Sequence, residues 1–181
     1  MIDPAGGPFV FDTSAEGWLA RGANREAATW FGRYLRLHRV SVSAATVLER
    51  VRGYSSLWRR ALPDARERIE AARLAYLSQL KVNDVLPVNT AVAIVAGEII
   101  ALVPDAPTPP RRSHRLAESR QDRLARWRFD GIIAATALVA GMPLVHNNAA
   151  DFEAIRSAIE RAPERFPGLG PLELIRCSLL G

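Results

Sequence analysis

The chain has 181 residues, 49% of them hydrophobic and 24% charged, with a formal net charge of +5. This length and balance admit one domain with a sizeable core, leave little room for two, and exclude global disorder. Cys177 is the only thiol, which excludes an intramolecular disulfide and agrees with a reducing, cytoplasmic setting.

The longest apolar run, residues 91–103, is interrupted by Gly97 and Glu98 and is too short to span a bilayer. The opening MIDPAGGPFVFD lacks a basic segment followed by a long apolar one, so no secretory signal is expected. The positive charge is almost all arginine, Lys81 being the sole lysine. Guanidinium groups suit bidentate phosphate contacts, but a GC-rich genome also favours arginine. Composition alone therefore leaves a nucleic-acid partner and a compositional bias at equal weight.

Residues 1–8, with two prolines and two glycines, read as an irregular lead-in. Phe9-Val10-Phe11 forms a first strand, and Asp12-Thr13-Ser14 ends it and caps the helix that follows. Ala27, Phe31, Tyr34 and Leu35 recur at helical spacing over 24–37. Val40 to Ser43 is a second strand, followed by a helix from near Ala44 with Val47, Leu48 and Val51 on one side. Pro63-Asp64 opens another helix, whose stripe is Ala65, Ile69, Ala72, Tyr76 and Leu80. Val85 to Val88 is a third strand, and Thr90 to Val103 a nearly all-apolar helix in which Glu98 marks a narrow wet side.

Composition changes at Pro104-Asp105-Ala106-Pro107-Thr108-Pro109-Pro110, an extended connector that cannot continue a helix. Residues 111–128 then hold seven arginines, with Leu116, Leu124 and Trp127 as the large apolar side chains. An apolar helix from Ile132 to Ala140, a turn at Gly141-Met142-Pro143 and a short strand at Leu144-Val145 follow. Phe152 to Arg165 is a last helix, residues 167–171 break it, and Leu172 to Ile175 is the final strand. The alternation of about five short strands with helices predicts an α/β fold with a mostly parallel central sheet. Residues 1–181 read as one domain, with 104–123 a Pro/Arg-rich insertion.

Four carboxylates fall where such a topology gathers its strand ends. Asp12 follows the first strand, Glu49 lies early in the helix after the second, Asp130 begins the helix before the fourth, and Asp151 follows that strand. Each has a plain structural explanation: Asp12 and Asp151 as helix caps, Asp130 facing a helix dipole or pairing with Arg126 or Arg128, Glu49 pairing with Arg50 or Arg52. Their common placement is harder to explain that way. Clustered carboxylates repel unless they share protons or bind a cation, and an oxygen-only donor set points to Mg²⁺ or Mn²⁺.

Other chemistries find less support. His38, His114 and His146 have no ligand spacing and Cys177 has no partner thiol, which argues against zinc. Ser14 and Ser43 lack a nucleophile elbow, and no GxGxxG or Walker pattern is present.

The blocks FVFDTS (9–14), SAATVLERVRGY (43–54) and FDGIIAATALVAGMPLVHNNAADF (129–152) resemble the signature blocks of PIN-domain ribonucleases, in particular VapC-type toxins of bacterial toxin–antitoxin pairs. The last block is the most specific, and the resemblance covers most of the chain outside the lead-in and the insertion. It implies a PIN-like three-layer α/β/α fold and an acidic metal site made of Asp12, Glu49, Asp130 and Asp151, the same four that topology selects. It also implies that Thr13, Ser14 and Asn148 orient the acids. The family has a small hydroxyl residue directly after the fourth strand; here His146 occupies that position, and the usual hydrogen bond to the first aspartate is not expected from it.

The function so implied is a Mg²⁺- or Mn²⁺-dependent endoribonuclease acting as a toxin, with a metal-activated water as nucleophile. Arg111, Arg112, Arg115, Arg126 and Arg128 are candidates for a basic rim that meets the RNA backbone, against the plain reading of a solvated loop and helix face. The resemblance further implies a VapB-like antitoxin, operator DNA bound only through that antitoxin, and a homodimer. A competing reading is a PIN-fold RNA-binding or assembly module with a weak or lost metal site. A phosphatase or receiver-type aspartyl-phosphate domain ranks last, because paired acids near the first strand and a lysine near the last are missing.

Overall fold

The computed structural model describes residues 2–21, 24–109 and 118–180. Among them, five short strands form one sheet: β1 (Val10–Phe11), β2 (Ser41–Ser43), β3 (Asp84–Leu86), β4 (Leu144–His146) and β5 (Leu174–Arg176). Their order is β3-β2-β1-β4-β5, and each pairing is parallel. Parallel strands need crossover connections, and these place helices on both faces of the sheet. The helices are α1 (Thr13–Ala20), α2 (Arg25–Leu37), α3 (Ala44–Arg60), α4 (Pro63–Gln79), α5 (Thr90–Leu102), α6 (Arg120–Ala140) and α7 (Ala149–Arg161). The result is a three-layer α/β/α architecture, as the sequence predicts.

Alternate side chains of the strands feed two cores. On one face Phe9 and Phe11 meet Ala27, Trp30 and Tyr34 of α2. Tyr34 stacks on Phe9 and Trp30 with ring centroids 5.5 and 5.4 Å away, and its hydroxyl accepts the Phe9 N–H at 3.0 Å. On the other face Val10 and Leu144 pack against Ile99 of α5, Trp127 and Ile133 of α6 and Ile155 of α7. Each of these fully buried side chains stabilises the fold by about 1.5–3 kcal/mol as an upper bound.

Helix starts follow local chemistry. The side chains of Asp12, Asn24, Ser43, Asn89 and Ser119 accept backbone N–H groups at the amino ends of α1, α2, α3, α5 and α6. Gly141 ends α6 in the left-handed region, with φ 62°, where a residue with a Cβ would be strained.

Several expectations need correction. The helix expected to begin near Ile132 begins at Arg120, so residues 120–128 of the arginine-rich stretch belong to its first half and Asp130 lies mid-helix. Trp127 explains this: its ring is buried among the α5–α7 core residues, and its indole N–H reaches the Val103 carbonyl at 2.9 Å. The last helix starts at Ala149, which puts Asp151 inside its first turn and not at the cap. Leu35 and Leu48, expected to face inward, are 50% and 58% exposed. The apolar helix over 90–103, expected to leave only a narrow wet side, exposes a broad face, with Ile94 62% and Leu102 38% exposed, and Glu98 pairs with Arg165 at 2.6 Å.

Strand order places the site. β1 sits between β2 and β4, so chain connections leave it in opposite directions and a crevice opens at the carboxyl ends of β1 and β4. Asp12 directly follows β1, and Asn147 and Asn148 directly follow β4.

Candidate functional site

Asp12 is 3% exposed and caps α1, its Oδ1 accepting the Ala15 N–H at 2.6 Å. The Ser14 hydroxyl lies 3.0 and 2.7 Å from its two oxygens. Burial pushes the Asp12 carboxyl up to about 6; the Ala15 N–H and the Ser14 hydroxyl oppose that rise, and the negative charge of Glu49 adds to it. Glu49, half-buried on α3, accepts a hydrogen bond from the Thr13 hydroxyl. Thr13 and Ser14 therefore orient two different acids, Glu49 and Asp12.

Asp130 projects from the middle of α6 and is 8% exposed. Its carboxyl is raised well above the usual range, first by burial and then by the charges of Asp151, Asp12 and Glu49. Three acids thus act on Asp130, and Glu49 acts on Asp12, although the four come from separate segments. The Asn148 side-chain N–H donates to Asp130 at 3.1 Å and to Asp151 at 2.6 Å. Drawn into this bridge, the Asn148 side chain makes no cap for α7.

Asp151 is fully buried and richly bonded. One of its oxygens accepts the Thr108 N–H at 2.8 Å and the Thr108 hydroxyl at 2.6 Å. The other accepts from Asn148 and, at 3.3 Å, from Arg126. Arg126 also grips both oxygens of Glu118 at 3.1 Å. A cavity of about 460 Å³ opens over this edge, lined by Asp12, Thr13, Glu49, Thr108, Asp130 and Asn148, among others. Asp151 sits behind Asn148 and does not line it.

Of the predicted rim, Arg126 lines the cavity, whereas Arg128 is exposed and does not. Arg111, Arg112 and Arg115 lie outside the described residues. Sequence reasoning missed Thr108, which it placed in a featureless proline-rich connector, and Arg50, which it weighed only as a surface partner of Glu49. Arg50 instead pairs with Glu16 at 3.0 Å. The only local signal for Thr108 is one hydroxyl side chain among prolines.

His146 is the last residue of β4 and is fully buried. Its ring packs on Phe152 at 5.1 Å, and neither ring nitrogen has a hydrogen-bond partner. Burial lowers its pKa to about 4, so the imidazole stays neutral. It makes no hydrogen bond to Asp12; the hydroxyl on that carboxylate belongs to Ser14.

The donors suit a hard divalent cation in kind, being carboxylate oxygens whose mutual repulsion a cation would relieve. Asp130 fits best, since it is buried, opposed by the charges of three other acids and bonded to Asn148 and to the Asp151 carboxyl, with no salt bridge of its own among the described residues. Among the described residues, however, no three His, Cys, Asp or Glu side chains converge as a ready ligand set. Asp151 is the departure, because both its oxygens are already engaged.

A five-stranded parallel sheet between two helix layers, with acidic side chains near its carboxyl edge, defines a three-layer α/β/α protein. The chain belongs to the PIN domain family, whose sequence pattern matches residues 9–157. It is similar in fold to the DNA-bound VapBC of Salmonella typhimurium, with 23% identity, 93% of this chain and 97% of that chain covered, and a TM-score of 0.56. The VapBC2 of Rickettsia felis bound to a promoter DNA fragment gives 12% identity, coverage of 93% and 97%, and a TM-score of 0.56. FitAcB of Neisseria gonorrhoeae gives 18% identity, coverage of 94% and 99%, and a TM-score of 0.57. No curated protein matches significantly. No helix among the described residues is long and apolar enough to cross a membrane.

Proposed function

We propose that this chain is a Mg²⁺- or Mn²⁺-dependent endoribonuclease that acts as the toxin of a toxin–antitoxin pair. The carrying observation is Asp130, a carboxyl whose pKa is raised by its burial and by the charges of three other acids at the sheet edge of a PIN-family chain. Asp12, Glu49 and Asp130 would hold the cation, and Asp151 would join them by fixing Asn148 and Arg126. A cation bound there supplies a water of lowered pKa and neutralises charge on the phosphate.

The remaining work belongs to the side chains. Ser14 and the Ala15 N–H keep Asp12 oriented, Thr13 keeps Glu49 oriented, and Asn148 ties Asp130 to Asp151. A rigid arrangement matters because misplacement of reacting groups by about 1 Å can cost roughly 100-fold in rate. Arg126 brings positive charge to the cavity, which a phosphate approaching an acidic edge requires.

The partners proposed with this activity are a VapB-like antitoxin, operator DNA through that antitoxin, and a second copy of the chain. The similar VapBC structures bound to DNA support that assembly. The competing reading, a PIN-fold RNA-binding module without catalysis, draws on the engaged state of Asp151. Mapping RNA ends after controlled expression separates the two. The ribonuclease reading expects discrete new ends with the wild type and none with Asp12→Asn; identical end maps from both proteins would remove it.

A further inference from the structure

A second cavity, of about 450 Å³, adjoins the acid-lined one, and Thr13, Glu49, Arg50 and Arg126 line both. The two differ in character. Away from the shared residues, the second is lined by Tyr54, Leu57 and Phe129 together with Arg52, Glu118 and Asp122, so aromatic and aliphatic surface lies among charged side chains of both signs.

The two arginines at the junction are not equivalent. Arg126 commits Nε and Nη2 to Glu118 and Nη1 to Asp151. Arg50 gives Nε to Glu16 at 3.0 Å and Nη2 to the Thr13 carbonyl at 3.1 Å, leaving Nη1 without a hydrogen bond among the described residues. Its side chain is 22% exposed and its guanidinium carbon lies 5.9 Å from the Tyr76 ring centre. Gly17 makes room for it: a Cβ at that position would lie 2.5 Å from Nη2. Arg50 is therefore fixed by Glu16 and the Thr13 carbonyl where the two cavities meet. A guanidinium fixed in advance loses less side-chain entropy when it meets a phosphate.

We propose that Arg50 contacts the phosphate backbone of single-stranded RNA where the strand passes from the acid-lined cavity into the adjoining one, whose aromatic side chains take a base. Charge and surface both favour this occupant. Arg50 and Arg52 offer positive charge to the phosphates, and Tyr54 and Phe129 add aromatic surface of the kind on which unpaired bases stack. The proposal rests on the ribonuclease reading and adds to it a specific phosphate contact and a base subsite.

The test uses the full chain carrying Asp130→Asn, so that RNA is bound and not cut, and a fluorescently labelled single-stranded RNA dodecamer of mixed sequence. Affinity is read by anisotropy across a salt series. Arg50→Ala is expected to weaken binding about tenfold at low salt and to reduce the slope of log affinity against log salt by about 0.7, the loss of one phosphate contact on a single strand. Gly17→Ala, which displaces the guanidinium without removing its charge, is expected to reproduce most of that loss. Phe129→Ala should weaken binding with the slope unchanged, because stacking releases no counterions. Arg165→Ala, at the remote Glu98 ion pair, serves as the unaffected control.

Should Arg50→Ala fail to fold by circular dichroism, Gly17→Ala and Arg50→Lys decide the matter. Affinity and slope equal to the parent in folded Arg50 and Gly17 variants overturn this proposal alone. A parent protein that binds no RNA at any salt overturns the ribonuclease reading together with it.

Discussion

Thr108 donates both its backbone N–H, at 2.8 Å, and its hydroxyl, at 2.6 Å, to the same oxygen of Asp151. A carboxylate with no exposed surface needs such donors, and here they come from 43 residues away in the chain. The hydroxyl also approaches the Asn148 carbonyl oxygen at 3.3 Å, so one side chain steadies the bridge between Asp151 and Asp130. Thr108→Val keeps the shape and removes the hydroxyl. The expected cost is about 2 kcal/mol, the worth of a hydrogen bond to a charged group, or roughly 4–8 °C in melting temperature for a chain of this size. An unchanged melting curve would show that the bond contributes nothing.

Asp12→Asn and Asp130→Asn are expected to reduce RNA cleavage at least about 100-fold while leaving the fold intact. Their stability carries a second signature. Asp12 holds its proton more tightly folded, at about 6, than at its ordinary 3.8. Stability from this group is complete below about pH 4 and is lost as pH rises through 6, a change on the order of 3 kcal/mol. In EDTA, Asp12→Asn should therefore gain on the wild type as pH rises from 4 to 6. At neutral pH, Mg²⁺ at about ten times its Kd should stabilise the wild type by about 1.4 kcal/mol and leave both variants unmoved. Absence of any Mg²⁺ or Mn²⁺ shift in the wild type would count against the metal site.

His146 acts in the opposite sense over the same range. Its folded pKa, about 4, lies below the ordinary 6.5, so the unfolded chain takes up a proton that the folded one refuses. Stability from this group rises with pH between 4 and 6.5, on the order of 3 kcal/mol. The Asp12 and His146 dependences partly cancel in the wild type. His146→Leu removes one of them and two unsatisfied ring nitrogens. It should be more stable than the wild type, by a margin that widens from pH 6.5 down to 4 in urea titrations; a margin independent of pH would contradict the buried neutral imidazole.

Cys177 is 2% exposed, and burial pushes its thiol up to about 12. The thiolate is the reactive form, so the native protein at pH 8 should resist iodoacetamide and become labelled only in urea. Mass spectrometry of the intact chain reads the difference; rapid native labelling would mean that the β5 end opens.

Much of the fold was legible because it depends on local pattern. The run Phe9-Val10-Phe11 before Asp12, and Leu144-Val145 before Asn147-Asn148, announced strands that end in polar turns, and Gly141 announced the end of α6. The acids stand out as a set near such junctions, although Asp130 lies mid-helix in α6 and Glu49 within α3. The first half of α6 was not legible, since seven arginines between 111 and 128 outweighed a helical stripe carried by Leu124 and Trp127 alone. The environment of His146 was not legible either, because a terminal strand residue shows no local sign of being fully buried.

By itself the sequence determined the alternation of strands and helices and the Asp12 cap of α1, and it singled out four acids as a candidate set, because these follow from spacing and side-chain type within a few residues. Only the tertiary structure decided that Asp151 is saturated by Thr108, Asn148 and Arg126 while Asp130 is left to Asn148 and the Asp151 carboxyl. It alone decided that Arg50 turns to Glu16 where two cavities meet. The reason is physical: hydrogen bonds and charge interactions are settled by distances of a few ångströms, and strand order, which no local pattern encodes, brings residues 12, 49, 108, 130 and 151 to the same edge of the sheet.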